Sequence, residues 1–397
     1  MSKKEIIFLL ILATIQFCHS VDFMIMMPLG PQLMRVLGIN PSQFGLLVSA
    51  YTFSAGVMGL FGVFFLDKMD RKKALQLFFI GFTIGTFACA FANSYPVLLI
   101  MRALTGAFGG LLGSIILSIV GDVFPFEMRG RAMAVVMAAF SVAAVVGVPF
   151  GLFLANHFDW RAPFWFLGII SLPILIIIWA KIPSLRDHLK DRDHGRTAYL
   201  IYREAWSNSE QRGALFFIAF LVLGQFMVIP YISPSMVANV GFSERELVWI
   251  YLVGGVLTIV SSQLIGKAAD HFGKARIFRI FLLFSLLPIL VITSLGRSSI
   301  PFALIFTSLF FVSMGGRMIP AMSLLSSTVP VQKRGSFMGL VNSVQQFSAA
   351  VAAFAAGHIV VKQTGTGYLL HYNLVGYLGI FFSLVALFCL KYLKKQY

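Results

Sequence analysis

The chain has 397 residues, of which 58% are hydrophobic and only 12% are charged. Soluble domains carry about a quarter charged residues, so this composition excludes an ordinary soluble protein and indicates a membrane protein. The net charge is +16, but the basic residues are scattered between apolar runs, and we therefore expect no nucleic-acid binding. The three cysteines lie inside apolar runs without paired spacing, so we predict neither a disulfide framework nor a metal site.

The N-terminal stretch MSKKEIIFLLILATIQFCHS has the basic start and apolar run of a signal peptide. No small-x-small cleavage site follows, however, and the apolar character resumes after Asp22 as FMIMMPLG. We therefore interpret this stretch as the first membrane-spanning helix.

Runs long enough to cross a hydrocarbon core of about 30 Å determine the predicted architecture. Twelve such runs occur, at 5–34, 42–66, 72–92, 95–121, 131–156, 162–180, 213–237, 246–268, 276–294, 299–327, 336–360 and 369–391. A polar passage separates the sixth run from the seventh. We predict an all-α membrane protein built from an N-terminal six-helix bundle (1–180), a cytoplasmic connector (181–212) and a C-terminal six-helix bundle (213–397).

The distribution of Lys and Arg predicts the orientation. With the N-terminus inside, the cytoplasmic segments contain 24 of the 31 basic residues and the outer loops contain five. Both termini are therefore predicted to be cytoplasmic. The short loops and the absence of predicted disulfides favour the inner (plasma) membrane of a bacterium, and we expect a monomer.

The two halves contain similar loops in similar places. FFLDKMDRKKAL and IGKAADHFGKAR place Asp67 and Asp270 203 residues apart, and FPFEMRGRAM and VPVQKRGSFM place Arg129 and Arg334 205 residues apart. The pattern indicates a duplication. Because six helices per half is an even number, both copies insert with the same orientation and form a parallel repeat.

Three motifs resemble those of the major facilitator superfamily, and within it the twelve-helix drug:proton antiporter-like exporters. The loop motif is matched in the second half by Gly266, Asp270, Gly273 and Lys274. The first copy keeps Asp67, Arg71 and Lys72 but has Val63 and Asp70 at the glycine positions. The family's basic motif in the fourth helix is matched by Arg102, Gly106 and Gly109, and its glycine-proline pattern in the fifth helix by Gly147, Pro149 and Gly151.

The resemblance implies the fold of that superfamily, a central cavity lined by the first and fourth helices, and transport by alternating access. It also implies that the loop aspartates lie against a helix N-terminus and a loop arginine, and lock the inner side when the transporter faces outward. The residues assigned to these gating loops are Asp67, Arg71, Arg129, Gly266, Asp270, Gly273, Lys274 and Arg334. We expect the glycine-proline pattern to bend the fifth helix and to allow close packing between the halves.

Asp22 is the clearest candidate for a chemical role. A carboxylate in the middle of a lipid-spanning helix costs about 2.5 to 3.5 kcal/mol, so it should face a cavity or a partner. Gln16, His19 and Asp22 follow one another at i, i+3 and i+6 and form one polar stripe. Desolvation favours the protonated carboxyl, which predicts a proton carrier with His19 as its neighbour. The alternative is a permanent ion pair between Asp22 and an arginine.

Arg102 is the expected partner. Helix geometry places Asp22 about 24 Å above the inner side and Arg102 about 10 Å below the outer side, so their depths differ by about 4 Å in a core of about 30 Å. We predict that the two compete for each other, for a proton and for substrate. A purely structural ion pair remains the alternative.

Other polar residues inside the spans leave two interpretations open. Arg317 lies near the cytoplasmic third of the tenth span, where it could snorkel, and serves either as an inner-gate or anion contact or as a structural anchor. Gln225, Asn342, Gln345 and Gln346 come near mid-depth and are predicted either to bind substrate or to link helices by hydrogen bonds. Tyr51 suits an adaptable apolar pocket, although core packing or lipid contact is its expected role.

No Walker-type, HExxH, GxSxG or CxxC motif is present, so we predict neither an enzyme nor a cofactor, and ATP is not the direct fuel. The prediction is a secondary transporter that exports an amphiphilic small molecule or drug against protons, with substrate, protons and membrane lipid as its partners. The alternatives are uptake or facilitated transport of an organic anion, a lipid flippase, or a non-transporting membrane sensor.

Overall fold

The computed structural model describes residues 3–186, 189, 198–330 and 334–396. These residues are helical and loop, except for one pair of two-residue antiparallel strands, β1 (Val361–Lys362) and β2 (Leu369–Leu370). The predicted helical class is thus confirmed, with this short hairpin before the last span as a departure from an all-α chain.

Sixteen α-helices follow one another in the described residues. The first eight are α1 (Lys3–Ile25), α2 (Gly30–Val36), α3 (Pro41–Phe65), α4 (Arg71–Ala90), α5 (Tyr95–Val123), α6 (Phe126–Val142), α7 (Val148–His157) and α8 (Ala162–Lys181). The others are α9 (Ala198–Ser207), α10 (Ser209–Val228), α11 (Ile232–Ser235), α12 (Leu247–Phe272), α13 (Lys274–Ser294), α14 (Ile300–Ser327), α15 (Arg334–Ile359) and α16 (Tyr372–Cys389).

Eleven helices of the described chain are long and apolar enough to cross a membrane. The other predicted span, 336–360, corresponds to α15, which is long enough at 26 residues. Its composition is more polar than that of the eleven, because Asn342, Gln345 and Gln346 lie within it. Length and position therefore identify α15 as a span where hydropathy alone does not.

The chain divides into two compact units. The first unit contains Met1–Ile25 and Ala50–Ile201, and the second contains Met26–Ser49 and Tyr202–Tyr397. The segment 26–49, which the sequence places in the first bundle, thus packs with the later part of the chain. Glycines make this packing close, because a Cβ on Gly45 would lie 2.6 Å from the carbonyl oxygen of Ala353.

Close helix packing around α5 shapes the first unit. Apolar side chains of α1, α4 and α5 are fully buried against one another, among them Leu12, Ile15, Phe82 and Ile116. A Cβ on Gly85 of α4 would lie 2.5 Å from the Thr105 hydroxyl of α5, so this glycine lets the two helices approach each other. Helices α4 and α5 therefore form a closely packed surface beside α1.

The fifth span is irregular where the glycine-proline pattern predicts a bend. Helix α6 passes into a π-helical turn, Ala143–Gly147, before α7 begins at Val148. A Cβ on Gly151 would lie 2.7 Å from Cδ1 of Ile25, and one on Gly147 would collide with Val21. Both glycines therefore admit α1 of their own unit, and the expectation that they also serve packing between the halves stays a prediction.

Candidate functional site

Asp22 and Arg102 form an ion pair inside the first unit. Nη1 of Arg102 donates to Oδ2 of Asp22 at 2.9 Å, and the side chains of Arg102 and Asp22 are 1% and 0% exposed, respectively. Nη2 of Arg102 also donates to the Asp22 carbonyl oxygen at 3.5 Å. The Thr86 hydroxyl donates to Oδ1 of Asp22 at 3.4 Å. The contact between Asp22 and Arg102 that helix depth predicts is therefore present, and Thr86 of α4 is a third residue in it.

Aromatic rings enclose the guanidinium group. Cζ of Arg102 lies 4.4 Å from the ring centroid of Tyr51 and 5.9 Å from that of Phe164. Both rings present electron-rich faces to the cation, which such contacts stabilise by about 2 kcal/mol in a desolvated setting. Arg102 is thus held by one carboxylate and two aromatic faces.

Several polar atoms around this pair are buried without a hydrogen-bond partner among the described residues. They are both ring nitrogens of His19, the hydroxyl of Tyr51, Nε of Arg102 and Oε1 of Gln16. Gln16 does bond through its Nε2, which donates to Ser20 Oγ at 3.2 Å. These atoms form a buried polar cluster beside the ion pair.

Two glycines of the fourth-helix motif create the room for these groups. A Cβ on Gly109 would lie 2.6 Å from the Tyr51 hydroxyl and 3.1 Å from Cδ2 of His19. One on Gly106 would lie 2.5 Å from Oγ of Ser54. The spacing of Arg102, Gly106 and Gly109 therefore brings the cation, the phenol and the imidazole to one place.

Sequence reasoning misses two members of this site. It offers Tyr51 for an adaptable apolar pocket but expects core packing or lipid contact, and it does not predict Thr86 or its contact with Asp22 at all. A polar atom within an apolar span is the one sequence signal that both carry. That signal is weak, because serine and threonine hydroxyls also bond to their own helix, as Thr83 does to the carbonyl of Phe79.

Arg317 lies buried inside the second unit and does not reach the surface, as snorkelling would require. Its side chain is 0% exposed. Nη1 donates to Ser383 Oγ at 3.1 Å and to Ser285 Oγ at 3.3 Å, and Nη2 contacts the Met314 sulfur. Nε has no partner, and no carboxylate of the described chain pairs with this guanidinium. The neighbouring helices bury this side chain, and its depth along the span does not reveal that burial.

The repeat does not duplicate the Asp22–Arg102 pair. Helices α5 and α14 both begin after a serine and carry proline at their second position, with an offset of 205 residues. At that offset Thr307 occupies the position of Arg102, and its hydroxyl donates to the Ala303 carbonyl of its own helix at 2.9 Å. The paired charges are thus specific to the first unit.

The amide side chains predicted to bind substrate all belong to the second unit. Gln225, Asn342, Gln345 and Gln346 are each half-buried. Oε1 of Gln225 has no hydrogen-bond partner among the described residues, and Nε2 of Gln345 lies 3.8 Å from the Met322 sulfur. Their roles remain predictions.

The first gating loop contains a connection that the sequence does not suggest. Asp70, at a glycine position of the motif, caps α4 by accepting from the Lys72 amide, and it accepts further hydrogen bonds from Ser184 Oγ, the Leu185 amide and Arg186 Nε. Burial raises the pKa of Asp70, but these hydrogen bonds outweigh burial and lower the pKa to about 2. The departure from glycine thus fixes the start of the connector to this loop.

The other gating residues of the first unit have their own partners. Nε of Arg71 pairs with Oδ2 of Asp122 at 2.9 Å, and Nε of Arg129 donates to the Phe124 carbonyl at 2.9 Å. The backbone of Asp67 lies in a short 3-10 turn, Leu66–Lys68, and its side chain is outside the described part of the structure. The predicted latch at Asp67 therefore stays a prediction.

The second gating loop is more open. Gly273 has a φ of 92° between α12 and α13, a conformation that favours glycine. Asp270 is exposed and lines a cavity of about 600 Å³ together with Gly273 and Lys274. A Cβ on Gly266 would meet no atom within 4 Å, and Arg334 is exposed at the start of α15.

Comparison with known proteins identifies the family. The family model described as Major Facilitator Superfamily matches residues 12–353 and 214–396. An uncharacterised MFS-type transporter of Bacillus subtilis, YtbD, is 28% identical over 71% of this chain and 70% of its own length. A probable sugar efflux transporter of Helicobacter pylori strain 26695 is 22% identical over 90% of this chain and 88% of its own length.

Solved structures share the fold. The D-xylose-proton symporter superposes with a TM-score of 0.79 at 17% identity, covering 97% of both chains. A bacterial homologue of the human lysosomal transporter Spinster, in its inward-facing and occupied conformation, gives 0.79 at 14% identity and covers 100% of this chain and 98% of its own. These matches confirm the predicted membrane fold. The family model and the similar transporters confirm the prediction that the protein is a transporter and not an enzyme. The chain belongs to the major facilitator superfamily.

Proposed function

We propose that this transporter exports an amphiphilic small molecule in exchange for protons, as the drug:proton antiporter-like branch does. The observation that carries this proposal is the buried pair of Asp22 and Arg102, surrounded by the unpartnered polar atoms of His19 and Tyr51. A carboxylate at this position has two alternative partners, the guanidinium and a proton, and coupled transport requires such a choice.

Protonation of Asp22 removes the counter-charge of Arg102. The guanidinium keeps its contacts with the Tyr51 and Phe164 rings, and the imidazole of His19 lies on the same face of α1, one helical turn from Asp22. Proton binding therefore changes the charge presented by the site. Substrate and proton then bind at different stages of an alternating-access cycle.

The remaining predictions belong to the same proposal. The bundles are 1–180 and 213–397, both termini are cytoplasmic, and the protein acts as a monomer in the inner membrane. Arg317, Gln225, Asn342 and Gln346 contact substrate from the second unit, and the loop aspartates act as latches of about 0.3 to 2 kcal/mol at helix N-termini. The names of the Helicobacter pylori relatives, probable sugar efflux transporters, support export as the direction.

Transport by purified protein in liposomes tests the proposal. Binding of amphiphilic cations, sugars and organic anions is first screened by thermal shift, and each binder is then followed as flux with and without an imposed pH gradient. Asp22→Asn should abolish uphill transport and leave downhill flux measurable. Asp159→Asn, which makes the same chemical change at a side chain that is 45% exposed, is the control and should transport normally. Undiminished uphill transport by Asp22→Asn would remove this residue from the coupling mechanism.

A second candidate is transport of an organic anion. It is favoured by Arg317, a fully buried cation whose contacts in the described chain are two serine hydroxyls and a thioether. This function predicts that Arg102→Gln and Arg317→Gln each abolish binding of an anionic substrate and that Asp22→Asn retains it. Arg203→Gln, at an exposed position of α9, controls for the loss of one positive charge.

A further inference from the structure

A cavity of about 600 Å³ lies in the second unit beside the loop between α12 and α13. The end of α12, the first turns of α13, α14 and the chain after α16 contribute to it. Its lining residues include Asp270, Lys274, Arg276 and Arg279. None of them takes part in the buried ion pair, which belongs to the first unit.

One side of the cavity is strongly basic. Lys274, Arg276 and Arg279 face a single acidic lining residue, Asp270. Within the described chain no ion pair joins any of these three cations to a carboxylate. Arg276 and Arg279 are also three residues apart on one helix, where like charges repel. Three unneutralised cations around one cavity favour an anionic ligand.

Three leucines also line the cavity. Leu324, Leu390 and Leu393 are 2%, 2% and 4% exposed. Arg279 is followed on α13 by Ile280, Leu283 and Leu287, which are 53%, 52% and 54% exposed and recur at the spacing of one helix face. The basic residues therefore lie where an exposed apolar face of a membrane-spanning helix begins.

We propose that this cavity binds the phosphate group of an anionic phospholipid, with an acyl chain along Ile280, Leu283 and Leu287. The arginines bind the phosphate oxygens, and the exposed side chains of Ile280, Leu283 and Leu287 contact the acyl chain. The apolar face favours a lipid over free phosphate, which would use the basic side alone. In the proposed topology this loop is cytoplasmic, so the lipid comes from the inner leaflet. The site goes beyond the proposed transport function.

Native mass spectrometry of the delipidated full-length protein with added phosphatidylglycerol tests this inference. The double variant Arg276→Gln/Arg279→Gln should bind phosphatidylglycerol about 30-fold more weakly, since each basic residue near an anionic membrane surface contributes a factor of about five. The control Arg131→Gln/Arg203→Gln loses the same charge at exposed positions of α6 and α9 and should bind like the unmodified protein. Phosphatidylcholine, which has no net charge, should bind weakly to all three proteins.

Asp270→Asn provides a change in the opposite direction. Removal of the one acidic lining residue should strengthen phosphatidylglycerol binding several-fold, and this gain cannot come from misfolding. Equal losses in the double variant and its control would reduce the effect to net charge and overturn the site. Displacement of the lipid by equimolar inorganic phosphate would show a free-anion site and overturn the lipid assignment. No change in either the double variant or Asp270→Asn would also overturn it.

Discussion

The hydroxyl of Tyr231 donates a hydrogen bond of 2.7 Å to the carbonyl oxygen of Pro41, 190 residues earlier in the chain. Both residues belong to the second unit, and the phenol lies between two glycines. A Cβ on Gly45 or on Gly357 would lie 2.7 Å from the hydroxyl oxygen. This contact helps to hold the segment 26–49 on the later part of the chain.

Tyr231→Phe should therefore destabilise the protein. The side chain is fully buried, and the change removes one hydrogen bond to the first turn of α3, at a cost of about 0.5 to 1.5 kcal/mol. Tyr377→Phe, at a position that is 49% exposed on α16, should change stability little. Thermal unfolding in detergent compares the two variants, and equal unfolding temperatures would contradict the prediction.

The Asp22–Arg102 pair should show strong energetic coupling. Removal of one partner from a buried ion pair costs about 3 to 5 kcal/mol, because the other charge is left uncompensated. Asp22→Asn and Arg102→Gln should each destabilise the first unit by that order. The double variant should lose less than the sum of the two single losses. Unfolding measured for all four proteins of the cycle gives the coupling energy, and additive losses would mean that the charges do not interact.

Gly109→Ala should impair transport more than Gly113→Ala. Both glycines lie on α5, but a Cβ on Gly109 meets the Tyr51 hydroxyl at 2.6 Å, whereas the nearest atom to one on Gly113 is Gln16 Oε1 at 3.7 Å. The first change displaces a residue that contacts Arg102, and the second fills open space. Flux in liposomes at matched protein content measures the difference, and similar rates would argue against a role for the Gly109 contact.

Asp70→Asn should release the start of the connector in a pH-dependent way. The pKa of Asp70 is lowered from 3.8 to about 2, so its stabilising contribution is fully present above pH 4 and disappears as the pH falls toward 2. At neutral pH the variant should lose about 1 to 2 kcal/mol and be cleaved faster by trypsin after Arg186. The difference in unfolding temperature between the two proteins should shrink as the pH falls below about 4. A difference independent of pH would contradict the assignment to the Asp70 carboxylate.

The sequence predicts the helices, the duplication and the Asp22–Arg102 contact because span length, the spacing of the repeated loops and residue depth are each regular along the chain. Span length is set by bilayer thickness, and residue depth follows from the helical rise. The contacts of Asp70 with Ser184 and Arg186 could not be predicted, because loop conformation and not periodicity brings these residues together. The association of segment 26–49 with the later part of the chain depends on side-chain shape and could not be predicted either.

The burial of Arg317 and the π-helical turn in the fifth span show a further limit. Depth places a residue along the membrane normal but does not say which way its helix face points, so a buried arginine and a snorkelling one look alike. The turn at Ala143–Gly147 changes the face that α7 presents, and composition does not reveal such a change. Packing against particular neighbours, here Ser285 and Ser383 for Arg317, determines the outcome.

The presence of Thr307 at the position that corresponds to Arg102 has an electrical consequence. The duplicated half has no arginine at that position and, among its described residues, no buried acid, so in the proposed mechanism the carboxylate that takes up a proton is Asp22 of the first half. Exchange of that proton for a monovalent cation moves no net charge and responds to the pH gradient alone. Exchange for a neutral solute moves one charge and also draws on the membrane potential, which supplies about 2.3 kcal/mol per 100 mV.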